Sequence, residues 1–235
     1  YVRELVQSGA LGKIMRFTGT YDQDQLLDES LPITWRHINK LAGCGALGDL
    51  GSHLLSISQF IMGDITKVNA VATTVFPKRP KSAGSTEMVD VENEDIMTFM
   101  AEYANGAIGQ IACSRVATGR KNYLTYEIQG TKGSVRYDLE RMGEVQVYFQ
   151  SDNERDRGFR TVLLNPLMKG YSAFQPAGGI SIAYNDMKIL EVHALFDAIT
   201  NGADYVTDFE FGYKIDRTVA AVIESSKTHE WVDVK

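Results

Sequence analysis

An aspartate and a histidine, Asp49 and His53, stand four residues apart in the glycine-rich stretch GCGALGDLGSH, residues 43–53. Residues four apart on a helix lie on one face, about one turn apart, so these two side chains can converge on one ligand. A carboxylate in the first helical turn is favoured by the helix dipole, and histidine, which titrates near neutrality, is the natural general acid or base. The pair therefore predicts proton-transfer chemistry.

Two other interpretations fit the same spacing. The chain has 30 acidic residues and four histidines, so an acid four positions before a histidine can arise by coincidence. Asp49 and His53 would also suit two ligands of a metal ion, but the sequence has no further cluster of histidine and cysteine for the third and fourth ligands. We therefore expect no metal site.

The glycines Gly43, Gly45 and Gly48 match the G-x-G-x-x-G fingerprint of dinucleotide-binding loops. That fingerprint follows a buried strand, and an acid ends the next strand about 20 residues further on. Here residues 34–40 are polar, and Asp64 comes before the next predicted strand. We therefore expect these glycines to let another backbone or a ligand approach the helix closely, and not to hold a pyrophosphate.

Composition excludes several classes of partner. The 235 residues are 44% hydrophobic and 23% charged, which is typical of globular proteins. The net charge of −6 argues against nucleic acid or an anionic membrane, and no apolar run approaches the about 20 residues of a membrane span. The two cysteines, Cys44 and Cys113, favour a reducing, cytoplasmic compartment. Because Tyr1 opens an uncapped helical pattern, we expect the protein to start upstream.

Hydrophobic periodicity gives the elements that must position the pair. Helices are predicted over residues 45–62, 185–200 and 211–227. Alternation with period two predicts strands over residues 13–21, 68–76, 95–103, 107–116, 123–129, 134–139, 144–150 and 160–164.

Most of these strands are joined by short turns and must pair antiparallel. A type I′ turn is predicted at Asn105-Gly106. The loop at residues 77–86 carries Lys78, Arg79 and Lys81, which we expect to be solvated. The predicted fold class is α+β: a large open, mostly antiparallel sheet with helices packed on one face.

The motif Trp35-Arg36, the stretch at residues 43–53 and Gly63-Asp64 together resemble the Gfo/Idh/MocA family of oxidoreductases. That family includes glucose–fructose oxidoreductases and inositol dehydrogenases, and its second domain carries the pattern W-R…G-G-x-L-x-D-x-G-S-H…G. Further likeness lies in SGALGK at residues 8–13, FEFGY at residues 209–213 and WV at residues 231–232. The resemblance covers essentially the whole chain.

The resemblance implies that residues 1–235 form a single C-terminal domain for substrate binding and oligomerisation. The N-terminal Rossmann domain of the family is absent from this chain, as is the lysine of the family's Glu-Lys-Pro motif. NAD or NADP would be bound mainly by that absent domain. The isolated chain is therefore expected to be inactive.

The resemblance also implies roles for individual residues. His53 would accept the proton of a sugar or cyclitol hydroxyl, and Asp49 would hold that hydroxyl in place. The substrate contacts implied are Tyr21, Gln23, Arg36, Tyr184 and Lys188. The residues implied to face the cofactor are Arg36, Gly45 and Gly48. Arg36 can equally be a solvated arginine packed on the indole of Trp35.

Three functions remain open at this point. The first is an NAD(P)-dependent dehydrogenase acting on a sugar, sugar derivative or cyclitol. The alternatives are a dinucleotide-binding transcriptional repressor of the same fold and the NAD-dependent glycosidase branch. Because an uncovered sheet face with alternate apolar residues needs a partner, we also expect a homodimer or homotetramer formed through that face.

Overall fold

One open sheet of nine strands runs through the whole chain in the computed structural model, which describes residues 1–235. Its strands are β1 (Ile14–Asp22), β2 (Ile65–Thr73), β5 (Ile96–Tyr103), β6 (Ile108–Ser114), β7 (Tyr123–Gly130), β8 (Gly133–Asp138), β9 (Glu144–Phe149), β10 (Arg160–Leu163) and β11 (Val232–Asp233). Two short strands, β3 (Lys78–Pro80) and β4 (Met88–Asp90), pair separately.

The order across the large sheet is β10-β9-β8-β7-β1-β6-β5-β2-β11. Only β1 and β6 run parallel, and every other neighbouring pair is antiparallel. The order places β1, whose C-terminal end carries Tyr21, at the centre of the sheet. The predicted mostly antiparallel sheet is confirmed.

The helices are α1 (Val2–Gln7), α2 (Asn39–Ala42), α3 (Ser52–Met62), α4 (Tyr184–Asn201) and α5 (Phe209–Thr228), and a π-helical turn (Leu47–Gly51) precedes α3. The helix α3 packs against β1, α1 and α5, and α5 covers β2. The helix α4 has no buried residue. The predicted helical layer on one face is confirmed. None of the helices combines the length and the hydrophobicity that a membrane span requires.

Alternation along the strands separates the two faces of the sheet. On β5, Met97 and Phe99 are buried, whereas Thr98 and Met100 between and beyond them are exposed. The ring of Phe17 stacks on that of Tyr126 with centroids 5.8 Å apart. Side chains of this parity form the core beneath the helices because period-two residues point to one face.

The opposite face is open and more polar than expected. A trough of about 500 Å³ lies on it, and its floor includes Thr18, Thr20, Thr98, Gln110 and Thr125. Some apolar side chains are exposed on the strands: Met15, Val71, Met100 and Ile108. The open face therefore carries threonines and exposed apolar side chains together.

The turn between β5 and β6 differs from the predicted type I′ turn. Only Gly106 has a positive φ, +82°, and Asn105 does not. The amide of Tyr103 donates to the carbonyl of Ala107 at 2.9 Å, which closes a three-residue loop. Such loops combine a type I turn with a glycine in the left-handed region. The Asn105 side chain donates to the carbonyl of Met62 at 2.9 Å, so the turn is tied to the end of α3.

The expectation of a solvated basic loop is wrong for one of its three residues. Arg79 lies on β3 and is fully buried. Its guanidinium donates to the carbonyl of Leu26 and, at 2.8 Å, to that of Asp28, and thereby holds the loop that follows β1. Lys78 and Lys81 are exposed and pair with acids on β4 and beside it.

Three tyrosines, two buried and one half-buried, make the fold sensitive to alkaline pH. Burial raises the pKa of Tyr103, Tyr126 and Tyr137, for Tyr137 to about 12. The unfolded chain loses these protons near pH 10, so the folded state binds more protons above that value. The stability that these tyrosines contribute is therefore complete below about pH 10 and falls as the pH rises through the folded-state pKa values.

We expect the urea midpoint of unfolding to begin to fall near pH 9, because burial also raises the pKa of Cys44 and Cys113 above that unfolded-state value. The fall should become steeper above pH 10, where the tyrosines of the unfolded chain titrate. The variant Tyr137→Phe should make this fall shallower because one titrating group is gone. The matched control Tyr213→Phe removes the hydroxyl of a side chain that is 63% exposed and should leave the slope unchanged. Equal slopes for the two variants would contradict the assignment.

Candidate functional site

A carboxylate of the same chain caps the N-terminus of the helical segment that carries Asp49 and His53. Glu94 stands two residues before β5, and its Oε1 accepts from the amides of Gly45 and Leu47, both at 2.9 Å. The main-chain carbonyl of Glu94 accepts from the amide of Ala46 at 3.0 Å. An anion is favoured at a helix N-terminus. The position where a dinucleotide loop binds pyrophosphate is therefore already taken by Glu94.

The glycines of this segment are required by close contacts within the chain. A Cβ at Gly45 would lie 1.9 Å from the carbonyl oxygen of Glu94, and one at Gly48 would lie 2.7 Å from the Sγ of Cys44. These contacts give both glycines a structural cause. The expectation that Gly45 and Gly48 face a cofactor stays a prediction.

Asp49 lies in the π-helical turn and His53 at the second position of α3. Single π-turns are frequent at functional sites. The Asp49 Oδ2 is 3.5 Å from the Nε of Arg36 and 3.5 Å from the Nε2 of Gln25. No hydrogen bond joins Asp49 to His53, so the carboxylate faces Arg36 and Gln25 and does not orient the imidazole.

The imidazole of His53 is exposed and lies at the rim of this cluster. Its ring meets the ring of Tyr21 edge to face, with centroids 6.0 Å apart and an interplanar angle of 68°. It makes no hydrogen bond to another side chain or to the backbone through its ring nitrogens. Both ring nitrogens are therefore available to a molecule bound above α3.

Tyr21 and Gln23 project the same way from the end of β1 and meet Asn122. The hydroxyl of Tyr21 donates to the Oδ1 of Asn122 at 2.7 Å. The Nε2 of Gln23 donates to the Tyr21 oxygen at 3.2 Å and to the Asn122 Oδ1 at 3.1 Å. We call these three side chains the polar platform.

Burial raises the pKa of Tyr21, and the negative charges of Asp49 and Tyr184 raise it further, against the opposing effect of the Gln23 hydrogen bond. Tyr21 is therefore a neutral phenol at physiological pH.

Arg36 stands between the indole of Trp35 and the carboxylate of Asp49. The guanidinium carbon is 4.5 Å from the centroid of the Trp35 ring, and Trp35 is 53% exposed. The main-chain carbonyl of Arg36 accepts from Asn93 at 2.8 Å and from Arg115 at 3.2 Å. The packing of Arg36 on the indole is therefore present, and its contact with substrate or cofactor stays a prediction.

A buried ion pair supports this cluster. The Nε of Arg115 is 2.9 Å from the Oδ1 of Asp95, and the two side chains are 0% and 1% exposed. Asp95 also accepts from the amides of Val75 at 2.7 Å and Phe76 at 3.1 Å. A signal for the pair exists in the sequence, because Asp95 and Arg115 have the same odd parity as the buried positions of β5 and β6.

The two expected site residues of α4 lie side by side at the start of the helix. Tyr184, 57% exposed, stands at the start of the helix and within electrostatic reach of Tyr21. The Nζ of Lys188 is 5.7 Å from the Tyr184 ring and donates to Glu191 at 2.7 Å, which raises the pKa of Lys188. Lys188 is thus engaged on the helix surface, and a substrate contact by either residue stays a prediction.

Sequence reasoning missed Gln25 and Asn122. Asn122 stands directly before β7, and the pairing of Asp22 with Tyr123 places it opposite Gln23. Finding it from sequence would require the register of two strands about 100 residues apart. No group of three or more histidine, cysteine, aspartate and glutamate side chains is arranged to hold a metal ion.

The family model described as the GFO/IDH/MocA C-terminal domain matches residues 1–136. The levoglucosan dehydrogenase of Pseudarthrobacter phenanthrenivorans is 38% identical over 245 residues, which cover 99% of this chain and 62% of that protein. The D-apiose dehydrogenase of Rhizobium rhizogenes is 30% identical over 102 residues, 40% of this chain and 26% of that protein.

Solved structures give the same result. Levoglucosan dehydrogenase in complex with NADH and levoglucosan superposes with a TM-score of 0.94 at 38% identity and covers 100% of this chain. An NAD binding oxidoreductase from Klebsiella pneumoniae gives a TM-score of 0.95 at 38% identity, also over 100% of this chain. This chain spans 62% of the length of each.

The buried pair can be tested by removing one charge. Asp95→Asn leaves the Arg115 charge without its partner in the interior and should lower the free energy of unfolding by about 3–5 kcal/mol. Asp90→Asn is the matched control, because Asp90 is 79% exposed and 3.5 Å from Lys78, and should cost less than about 1 kcal/mol. Urea unfolding measures both, and equal costs would refute the role of the pair.

The close contact at Gly45 predicts a second contrast. Gly45→Ala forces Cβ against the Glu94 carbonyl and should destabilise the fold by about 1–3 kcal/mol. Gly212 lies on the exposed side of α5 with nothing within 4 Å, so Gly212→Ala should stabilise by about 0.5–1 kcal/mol. Thermal unfolding distinguishes the two signs. A neutral Gly45→Ala would show that the backbone contact is not a constraint.

Proposed function

This chain belongs to the Gfo/Idh/MocA family, and from that premise we propose that it is the substrate-binding part of an NAD-dependent dehydrogenase of sugars or related polyols. Residues 1–235 would be its C-terminal domain, with a dinucleotide-binding domain before them. The observation that carries the proposal is the exposed imidazole of His53 beside Tyr21, in a cluster that also holds Asp49 and Arg36.

The residues of this chain fit only the reactive end of a dinucleotide. Glu94 occupies the one glycine-rich helix start near the site, so this chain has no free cradle there for a pyrophosphate. The exposed Trp35, Arg36 and His53 leave a wall against which a flat ring can lie. This division agrees with relatives that bind NADH and are longer than this chain.

When bound, the dinucleotide supplies the hydride acceptor. His53 would accept the hydroxyl proton as the hydride leaves the same carbon, since a positioned base eases that departure. The Asp49 carboxylate, held by Arg36 and Gln25, would accept a hydrogen bond from the substrate and keep its hydroxyl near His53. Neutral Tyr21 packs against the imidazole and limits its orientations.

Further features of the whole protein are part of this proposal. The solved relatives with bound sugars, levoglucosan and L-sorbose, favour a compact, uncharged substrate. A second subunit would cover the open sheet face, whose polar trough makes a wet interface the expectation there.

Replacement of His53 tests the proposal. In protein expressed from the complete coding sequence that contains this chain, His53→Ala should lower kcat for levoglucosan oxidation by about 10²- to 10⁴-fold and change KM little. His193→Ala, an exposed histidine on α4, is the control and should retain wild-type kcat. NADH formation is measured by absorbance.

The same assay separates the other functions. Release of an aglycone without net NADH would favour the glycosidase branch, and dinucleotide binding without turnover on a polyol panel would favour the repressor. Residues 1–235 alone should form no NADH. Turnover by this fragment, or full activity of His53→Ala, would overturn the proposal.

A further inference from the structure

Two side chains contact the Asp49 carboxylate, and they stand at opposite ends of one loop. Gln25 lies near the start of this loop and Arg36 lies just after its end, and each has a nitrogen 3.5 Å from the Asp49 Oδ2. We call residues 26–34 the connecting loop. Both side chains are exposed, so the position of the connecting loop determines whether they reach Asp49.

Strand β3, which pairs only with β4, holds the connecting loop at three points. The Arg79 guanidinium donates to the carbonyl of Leu26 and, at 2.8 Å, to that of Asp28. The carbonyl of the next residue, Pro80, accepts from the amide of Ile33 at 2.8 Å. Strand β3 therefore holds the connecting loop near both of its ends.

The charge of Arg79 has no ion partner that would account for it. Arg79 is fully buried, and no carboxylate lies within ion-pair distance of its guanidinium. The buried carboxylate of Asp95 is bonded to Arg115, and the Arg79 Nε has no hydrogen-bond partner. The ring of Phe76 is 5.2 Å from the guanidinium carbon. A buried charge without a partner costs free energy, so the two loop carbonyls are the polar groups that explain an arginine here.

A guanidinium suits this task because its N–H groups form a rigid fork, whereas a lysine donates from a single nitrogen. Two nitrogen atoms of Arg79 bind two carbonyls that lie two residues apart in the loop. The amide of Leu26 donates to the carbonyl of Arg115 at 3.0 Å. The residue directly after Gln25 is therefore held through both its amide and its carbonyl.

We propose that Arg79 is a positioning residue for the reaction, acting through the connecting loop, which keeps Gln25 and Arg36 against the Asp49 carboxylate. This inference rests on the proposed dehydrogenase function and adds an interior residue to it. Asp49 would keep the substrate hydroxyl near His53, and a small displacement of a group that orients a substrate can lower the rate about 100-fold. Loss of the guanidinium therefore lowers catalysis although no reacting group is removed.

Replacement of Arg79 tests the inference in protein expressed from the complete coding sequence. Arg79→Met keeps an unbranched side chain in the interior but removes both donors, and it should lower kcat/KM for levoglucosan about 10- to 100-fold. Arg79→Lys keeps the charge but donates from one nitrogen, so its kcat/KM should be intermediate. Lys78→Met is the matched control, because this neighbouring side chain is 61% exposed, and it should match wild type. A wild-type kcat/KM for Arg79→Met would overturn the inference.

A double-mutant cycle distinguishes positioning from a purely structural role. If Arg79 acts through Asp49, Arg79→Met should cause no further loss of kcat/KM in protein that already carries Asp49→Ala. If the guanidinium affects activity by another route, the two losses multiply, and the inference fails. Urea unfolding gives the folded fraction of each variant, so that kcat/KM refers to folded protein alone.

A measurement without substrate keeps this inference separate from the proposed function. The side-chain amide resonances of Gln25, identified in ¹⁵N spectra by their loss in Gln25→Ala, should move in Asp49→Ala because their acceptor is removed. Arg79→Met should move them in the same direction, and Lys78→Met should not move them. If wild type forms no NADH yet Arg79→Met moves these resonances, the proposed function fails and the positioning role stands. If Arg79→Met leaves them in place, the inference fails whatever the activity.

Discussion

The buried ion pair of Asp95 and Arg115 is the interaction on which the site depends. It joins the start of β5 to the end of β6, and both side chains also hydrogen-bond to the backbone of other segments. Asp95 accepts from the backbone of residues 75–76, and Arg115 donates to the carbonyl of Arg36, whose side chain faces Asp49. Neighbouring Glu94 turns the other way and binds the helix start at Gly45. Two adjacent acids thus hold the segments that carry Arg36 and Asp49.

In this arrangement, the residues that hold the backbone in place differ from the residues that are free to contact a ligand. The charges of Asp95 and Arg115, which help to position the backbone, are buried and paired with each other, because an unpaired buried charge would cost several kcal/mol. The groups with unused bonding capacity, His53, Asn122 and Gln23, stand at the surface above them. Sites built in this way keep their geometry because rigid elements hold the reactive side chains.

The fold was largely readable from the sequence. Alternation located every long strand, and the spacing of Asp49 and His53 placed both on one helical segment. Two features could not be read, because they depend on partners distant in sequence. Glu94 binds a helix start 49 residues away. Arg79, which the sequence analysis expected to be solvated, is buried and donates to backbone carbonyls of the loop after β1.

The site was readable in part, for the same reason. Tyr21 and Gln23 follow from the parity of one strand, but Asn122 joins them only through the register between β1 and β7. The turn at Asn105 shows the limit of local signals. The Asn-Gly dipeptide favours a type I′ turn, but the observed three-residue loop has a hydrogen bond from the Asn105 side chain to the carbonyl of Met62. The local hydrophobic pattern predicts helices and strands, whereas strand register determines which side chains become neighbours.

Glu94 at the glycine-rich helix start has a consequence for selectivity. Because the chain neutralises that positive helix end with its own side chain, this helix start offers no free position to a nucleotide phosphate. In a dehydrogenase of the proposed kind, discrimination between two nucleotides would therefore rest on groups outside residues 43–53, and it could change without any change at the helix start.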